Sequence, residues 1–304
     1  MSIAFVYNAD IRNNGTAVLA MTSAKDGLGF GNDCRRYTTQ PGIPEDHDLY
    51  IYVDDGRDDI DFTPPSPNAY WAIDTHLGYD YRRDKARNFD YVYTAQIEGA
   101  AKMCEEGIEA EWLPLACHPT AHPNHKEMLS HPEREKVASS GLDKQHDVAF
   151  VGFMNDGRGE GSNNRLDYLE KLFKEQPNSW LSFNVFFEDM AVRFIRARIG
   201  FNISIKNDLN MRFFEVMSTG TALLTNRDVE GWEELGFKEG EDFVGYQGED
   251  EMLEKAQWML DNAEERETIA ASGMKKVREF HTYSHRMKYI LDKAGVCLPE
   301  QRAN

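Results

Sequence analysis

The amino-acid sequence predicts an α/β fold of two lobes, each built on a parallel sheet. Short apolar runs that end in polar or Gly-containing loops alternate with helix-like stretches. A Pro- and His-rich segment without strand-like runs lies near the middle, and the strand pattern restarts directly after it. Strands separated by helical crossovers pair in parallel, because the chain must return along the sheet before the next strand begins. With 304 residues, 41% of them apolar, the chain is long enough to bury two cores.

Ser2 to Tyr7 reads as a first buried strand, feeding a polar loop from Asn8 to Gly15. Asp48 to Val53 (DLYIYV) and Ala69 to Ile73 (AYWAI) follow, running into Asp54-Asp55-Gly56 and Asp74-Thr75-His76, so polar groups gather just past strand ends. Phe89 to Thr94 and Glu111 to Leu115 continue the pattern, with a helix between them from Glu98 to Glu106. From His118 to His146 the chain turns to Pro, His, Lys, Glu and Ser, which places the boundary of the first lobe at about residue 145.

Asp147 to Phe153 (DVAFVGF) opens the second lobe, expected over residues 146–285. A Gly/Asn-rich loop through Asn164 and an amphipathic helix near Leu166 to Lys174 come next, then strand candidates at Leu181–Phe187, Phe201–Ile205 and Thr221–Thr225. The tail from Met252 to Ala294 reads as mostly helical, with 286–304 the terminal helix and tail. Open parallel sheets bind ligands beyond the carboxyl ends of their strands. Two such sheets facing each other therefore predict one cleft between the lobes.

Composition narrows the function classes. Lys+Arg 34 against Asp+Glu 52 leaves a net charge of −18, a field that repels polyanions and disfavours nucleic acid as partner unless a local basic groove exists. No apolar run reaches the roughly 20 residues that cross a bilayer, and the start MSIAFVYNADIRNN lacks the features of a signal peptide, so a cytoplasmic location is expected. Cys34, Cys104, Cys117 and Cys297 are too scattered for a disulfide framework or a zinc knuckle.

The most informative segment is Ser204 to Arg227, SIKNDLNMRFFEVMSTGTALLTNR. It reads as strand, polar loop, a short helix from about Met211 to Ser218, a stop at Gly220, and a strand. Asp208 or Asn210 suits the N-cap, and Gly220 supplies the left-handed conformation that ends a helix. Free N–H groups at the start of that helix, flanked by Lys206 and Arg212, suit a diphosphate. Glu215, one turn inside, can accept two bonds from a ribose diol, or pair with Arg212 three residues back.

The run RFFEVMSTGTALLTNR resembles the donor-binding element of GT-B glycosyltransferases, in particular the CgeB-like spore-maturation type. DLYIYVDDG, WAIDTHLGY, FDYVYTAQIEGA, EWLPLACHP and DVAFVGF follow that type's order of short motifs, from about residue 48 to about 287. The resemblance implies two Rossmann-like lobes facing across a cleft and a C-terminal helix that crosses back to the first. It implies sugar transfer from a nucleoside diphosphate sugar, with no cofactor and no catalytic metal. Lys206, Asn207, Arg212, Glu215, Gly220 and Thr221 then become donor-site residues, together with Gly152 and the basic Arg158 and Arg165 of the loop that follows it. Many relatives carry a second glutamate eight positions earlier, where this chain has Asn207.

Asp74 and His76, past a strand end in the first lobe, are the candidate catalytic bases toward an acceptor hydroxyl. The competing reading has Asp74 capping the following turn and His76 packing beside Tyr79. Asp10 and Arg12 are acceptor-side candidates by resemblance. Asp54-Asp55 could ligate a divalent cation through oxygen, but the resemblance argues against it. His118, His122 and His125 read as members of a solvated linker, and His281, Tyr283, His285 and Arg286 as packing residues. Other readings left open are a binding protein without turnover, a DNA-base glycosyltransferase, and an epimerase or phosphorylase on the same architecture.

Overall fold

The computed structural model describes residues 1–8, 15–38, 42–54, 62–153 and 162–299, and of 162–164 the backbone only. The chain forms two compact units, Met1–Leu115 with Tyr283–Asn304, and Ala116–Thr282.

In the first unit the elements are β1 (Ile3–Val6), α1 (Gly15–Thr22), β2 (Cys34–Tyr37), β3 (Leu49–Asp54), β4 (Asn68–Ala72), α2 (Tyr79–Ala86), β5 (Tyr91–Thr94), α3 (Ile97–Glu105) and β6 (Ala110–Trp112). All six strands pair in parallel, in the order β2-β1-β3-β4-β5-β6. Every residue of β1, β3 and β4 is buried, as a sheet covered on both faces requires. Val6, Tyr52, Tyr70, Ala72, Val92 and Met103 pack into one of its cores.

The second unit begins with two short helices, α4 (His125–Met128) and α5 (Arg134–Val137), and continues with β7 (His146–Val151), α6 (Ser162–Glu175), β8 (Trp180–Ser182), α7 (Phe187–Ile195), β9 (Ala197–Asn202), α8 (Met211–Ser218), β10 (Ala222–Asn226), β11 (Val244–Tyr246), α9 (Gly248–Asp261) and α10 (Ala263–Phe280). Its five strands are also parallel, in the order β11-β10-β9-β7-β8. The chain leaves β7 for β8 on one side and returns to β9 on the other. The switch point of this sheet therefore lies beyond the carboxyl ends of β7 and β9.

The last helix, α11 (Tyr283–Lys293), belongs to the first unit. Its Arg286 donates to the carbonyls of Pro114 (2.8 Å) and Leu115 (3.2 Å), and Tyr283 meets Trp71 edge-on with ring centroids 6.2 Å apart. The expected boundary at 145 and the observed division at Leu115–Ala116 differ for a definite reason. Met128, Ala138 and Leu142 bury themselves against Val192 and Ile195, and the Cys117 N–H donates to the His281 carbonyl at 3.1 Å. The segment 116–145 is thereby part of the second unit.

Three further differences have local causes. The expected strand Leu181–Phe187 shrinks to Trp180–Ser182, because Asn184 and Phe187 hold φ of 53° and 51° and Phe187 already opens α7. The edge strand β2 carries two exposed arginines and β11 has three residues, so neither shows an apolar run. Two glycines set close approaches to α8 and the segment before β11. A Cβ on Gly200 of β9 would lie 2.4 Å from Val216 of α8, and one on Gly273 of α10 would lie 2.3 Å from the Asp242 carbonyl and 2.9 Å from Met217 Sδ.

In a helix, Gly→Ala ordinarily gains up to about 1 kcal/mol. At Gly273 the clash is with backbone, which cannot rotate away, so Gly273→Ala is expected to lose about 1–3 kcal/mol. A thermal unfolding midpoint equal to or above wild type would refute this.

Candidate functional site

The site is built around α8. Asn210 caps the helix, its side chain accepting from the Phe213 N–H at 3.2 Å, while its amide bonds Ser204 Oγ (2.9 Å) and Asn202 Oδ1 (3.2 Å). The cap thus ties the helix start to the carboxyl end of β9. Phe213 and Phe214 face the core, and Gly220, at φ 75°, ends the helix in the left-handed conformation its position requires. Thr221 is buried, with its hydroxyl donating to the Phe194 carbonyl at 2.8 Å.

Glu215 is 4% exposed. A buried carboxylate is costly unless charged or hydrogen-bonding partners surround it. Arg212, one turn earlier, supplies the first, with Nη1 at 2.6 Å from Oε2. His122 supplies the second, with Nε2 at 3.3 Å from Oε1, off the angle of a good hydrogen bond. The His122 Nδ1 accepts the backbone N–H of His118 at 3.2 Å. In the neutral ring the proton therefore sits on Nε2, the nitrogen that faces Glu215.

His122 corrects the linker reading. It is fully buried, whereas His125 is exposed and His118 half-buried. The available signal was its frame. Cys117, Pro119, Ala121 and Pro123 surround it, and charge begins only at Lys126. Its carbonyl accepts from Ser218 Oγ (2.9 Å) and Arg278 Nη2 (3.2 Å), while Arg278 Nε donates to the Ser218 carbonyl (2.9 Å). The turn holding the imidazole is thus fastened to the end of α8.

Beyond β7 and β9, Arg165 donates to the carbonyls of Phe153 (2.8 Å) and Ile203 (2.9 Å), joining the two strand ends at the switch point. Burial pulls its pKa down, and the nearby Arg212 guanidinium adds to that effect. Two cations close enough to repel favour an anion between them. Gly152 stands at the end of β7, where a Cβ would meet the Phe150 ring at 2.6 Å. Lys206 and Asn207 both hold left-handed φ, 51° and 57°. Such non-glycine strain gathers at functional sites. Both line a cavity of about 200 Å³ with Ser204, Asn226, Asp228 and Gln247. Arg158 lies outside the described residues, as do Asp10 and Arg12 of the first unit.

In the first unit Asp74 and His76 share the loop after β4. The Asp74 carbonyl accepts from the N–H groups of Leu77 (3.0 Å) and Gly78 (3.2 Å), which closes the turn. His76 Nδ1 is buried without a hydrogen-bond partner among the described residues. Asp54, at the end of β3, is committed to structure. Its Oδ2 lies 2.8 Å from Arg82 Nε and accepts from Tyr70 at 2.8 Å. Burial pushes its carboxyl up to about 6, against the pull of Arg82. Asp55 lies outside the described residues. Among the described residues, no group of three or more His, Cys, Asp or Glu side chains could hold a metal ion.

Comparison with known proteins bears on the fold and on part of the sequence. The family described as "Glycosyl transferase-like" matches residues 164–292, the span that includes α8. The crystal structure of Anabaena Alr3699/HepE in complex with UDP and glucose has a TM-score of 0.63 at 10% identity, covering 98% of this chain and 100% of that one. WaaG, a glycosyltransferase involved in lipopolysaccharide biosynthesis, gives 0.62 at 13% identity over 95% and 99%. An alpha-glucosyltransferase in complex with UDP and a 13-mer DNA containing a HMU base gives 0.63 at 10% identity over 97% and 99%. No curated protein sequence matches the chain. The two parallel sheets have the GT-B fold. Residues 164–292 thus match a glycosyl transferase-like family within a chain that has the GT-B fold.

Burial pulls the His122 pKa down from 6.5 to about 4, against the opposite pull of Glu215. The unfolded chain takes up a proton near 6.5 that the folded chain refuses until about 4, so this group's contribution to stability falls as pH drops through that window. Asp54, with its raised pKa, acts with the opposite sign between 3.8 and about 6. The thermal midpoint of wild type minus that of His122→Gln cancels the Asp54 part, and this difference is expected to shrink from pH 7 to pH 5. A difference that stays constant or grows would contradict the neutral, buried assignment.

Proposed function

We propose that the protein transfers a sugar from a uridine diphosphate sugar to a hydroxyl acceptor, with the donor held by the second unit. The observation that carries this reading is the buried, doubly partnered Glu215 one turn inside a helix whose start carries Arg212 at the switch-point end of β9. Uridine is chosen because Alr3699/HepE and the DNA-bound alpha-glucosyltransferase, similar in fold, both hold UDP.

The roles follow from chemistry. Glu215 accepts the ribose hydroxyl protons with the lone pairs that Arg212 and His122 leave free. The diphosphate lies toward the first N–H groups of α8, with Arg165 and Arg212 about it, and charge growing on the departing phosphate is met by these fixed donors. Lys206, Asn207 and Arg158 add polar contacts, and Gly152, Gly220 and Thr221 keep the surrounding backbone close. If the reaction inverts, Asp74 or His76 takes the proton of the acceptor hydroxyl. Asp10 and Arg12 then contact the acceptor. We assign the CgeB-like subtype on the sequence motifs.

No cofactor enters this scheme. The positive charge that a metal supplies elsewhere comes here from arginines and a helix start, so the reaction is proposed to be metal-independent. Four free thiols, of which Cys104 and Cys297 are exposed, favour a reducing, cytoplasmic setting. Among the described residues no helix is long and apolar enough to cross a membrane. A second reading, donor binding without turnover, is kept by Asn207 at the place where many relatives carry a second glutamate.

The first test is a thermal-shift screen of uridine, guanosine, thymidine, cytidine and adenosine diphosphates. A ligand at 100 times its dissociation constant stabilises by about 2.7 kcal/mol. Uridine diphosphate is expected to shift wild type and not Glu215→Ala; if no nucleotide shifts the wild type, the donor reading falls. In a turnover assay with a uridine diphosphate sugar, release of the diphosphate is expected to persist in excess EDTA. Loss on chelation and recovery on adding magnesium or manganese would overturn the metal-independent scheme.

A further inference from the structure

We infer that His122 is a positioning residue for the donor ribose, acting through Glu215. The inference rests on the reading of Glu215 as the ribose ligand. It starts from an imidazole immobilised at both ends. Nδ1 accepts the His118 N–H, the His122 N–H donates to the His118 carbonyl at 2.8 Å, and the His122 carbonyl is clamped by Ser218 and Arg278. Glu127 fastens Arg278 in turn, its Oε2 at 2.8 Å from Nη2. The ring has one free direction, and Glu215 stands in it.

The second observation is that the Nε2 proton is buried and poorly spent. Nε2 is buried without a hydrogen-bond partner among the described residues, and the Glu215 carboxylate oxygen 3.3 Å away stands at an unfavourable angle. A buried donor left in that state costs free energy comparable to a lost hydrogen bond. Catalytic and ligand-binding hydrogen bonds are often long in the empty protein and tighten when the ligand arrives. A small rotation of the Glu215 carboxylate toward a ribose diol would turn Oε1 into line with Nε2–H. His122 then selects the carboxylate orientation that accepts two hydroxyls, while Arg212, reaching Oε2 from the same helix, holds the charge.

This role is separable from a merely structural one by the ligand. We expect wild type to bind uridine 5′-diphosphate about tenfold or more tighter than its 2′,3′-dideoxy analogue in calorimetric titration, the effect of hydrogen bonds to a charged group. Glu215→Gln and His122→Ala should both compress that ratio toward one, and His122→Gln, which keeps a side-chain N–H donor, should restore much of it. If Glu215→Gln compresses the ratio while His122→Ala weakens both ligands equally, His122 is only structural and the inference is overturned with the donor reading intact. If wild type fails to distinguish the two ligands, or binds neither, the ribose reading of Glu215 fails and the inference with it.

Discussion

A carboxylate removed from water must be given partners, and the second unit is organised around meeting that demand at Glu215. Arg212 comes from the same helix at the i−3 position, at no topological cost. The imidazole comes from far upstream in the sequence, so the turn that carries it has to be attached to α8 independently. Arg278 of α10 makes that attachment, and Ser218 completes it. The glycine at 273 lets α10 approach closely enough to sit there. A single buried charge therefore fixes the relation of three segments.

Much of this was legible in the sequence where the signal is local. The bounds of α8, its Asn210 cap and its Gly220 stop follow from residue types at fixed offsets, and the central strands of both sheets are continuous apolar runs because both faces are covered. What escaped had non-local causes. Edge strand β2 exposes two adjacent arginines, α7 begins at a phenylalanine in left-handed conformation that no propensity favours, and His122 looks like part of a hydrophilic linker until Glu215 stands beside it. Pairing with Arg212 was visible as a spacing; that Glu215 is buried was not, since burial depends on what packs over α8.

The two units handle buried acid groups differently. Asp54 has Arg82 and Tyr70 on one oxygen, and its other oxygen has no partner among the described residues, so burial dominates and the group takes up a proton near a pH of about 6. Glu215 is contacted on both oxygens, each by a nitrogen. The first arrangement reads as an architectural brace between β3, β4 and α2. The second spreads its partners over both oxygens, and so ties the start of α8 to the turn that carries His122.

The return of α11 to the first unit makes that unit discontinuous along the chain, and this bears on how the protein is made. During synthesis, at about 5–20 residues per second, the ribosome must finish the whole second unit before Tyr283 and Arg286 emerge. For an interval on the order of ten seconds, the carbonyls of Pro114 and Leu115 and the face of Trp71 lack the helix that covers them. The second unit, contiguous in sequence, has no such wait. The nascent chain thus completes its units in the reverse of the order in which they begin, and the first is left as a nearly finished sheet awaiting its last helix.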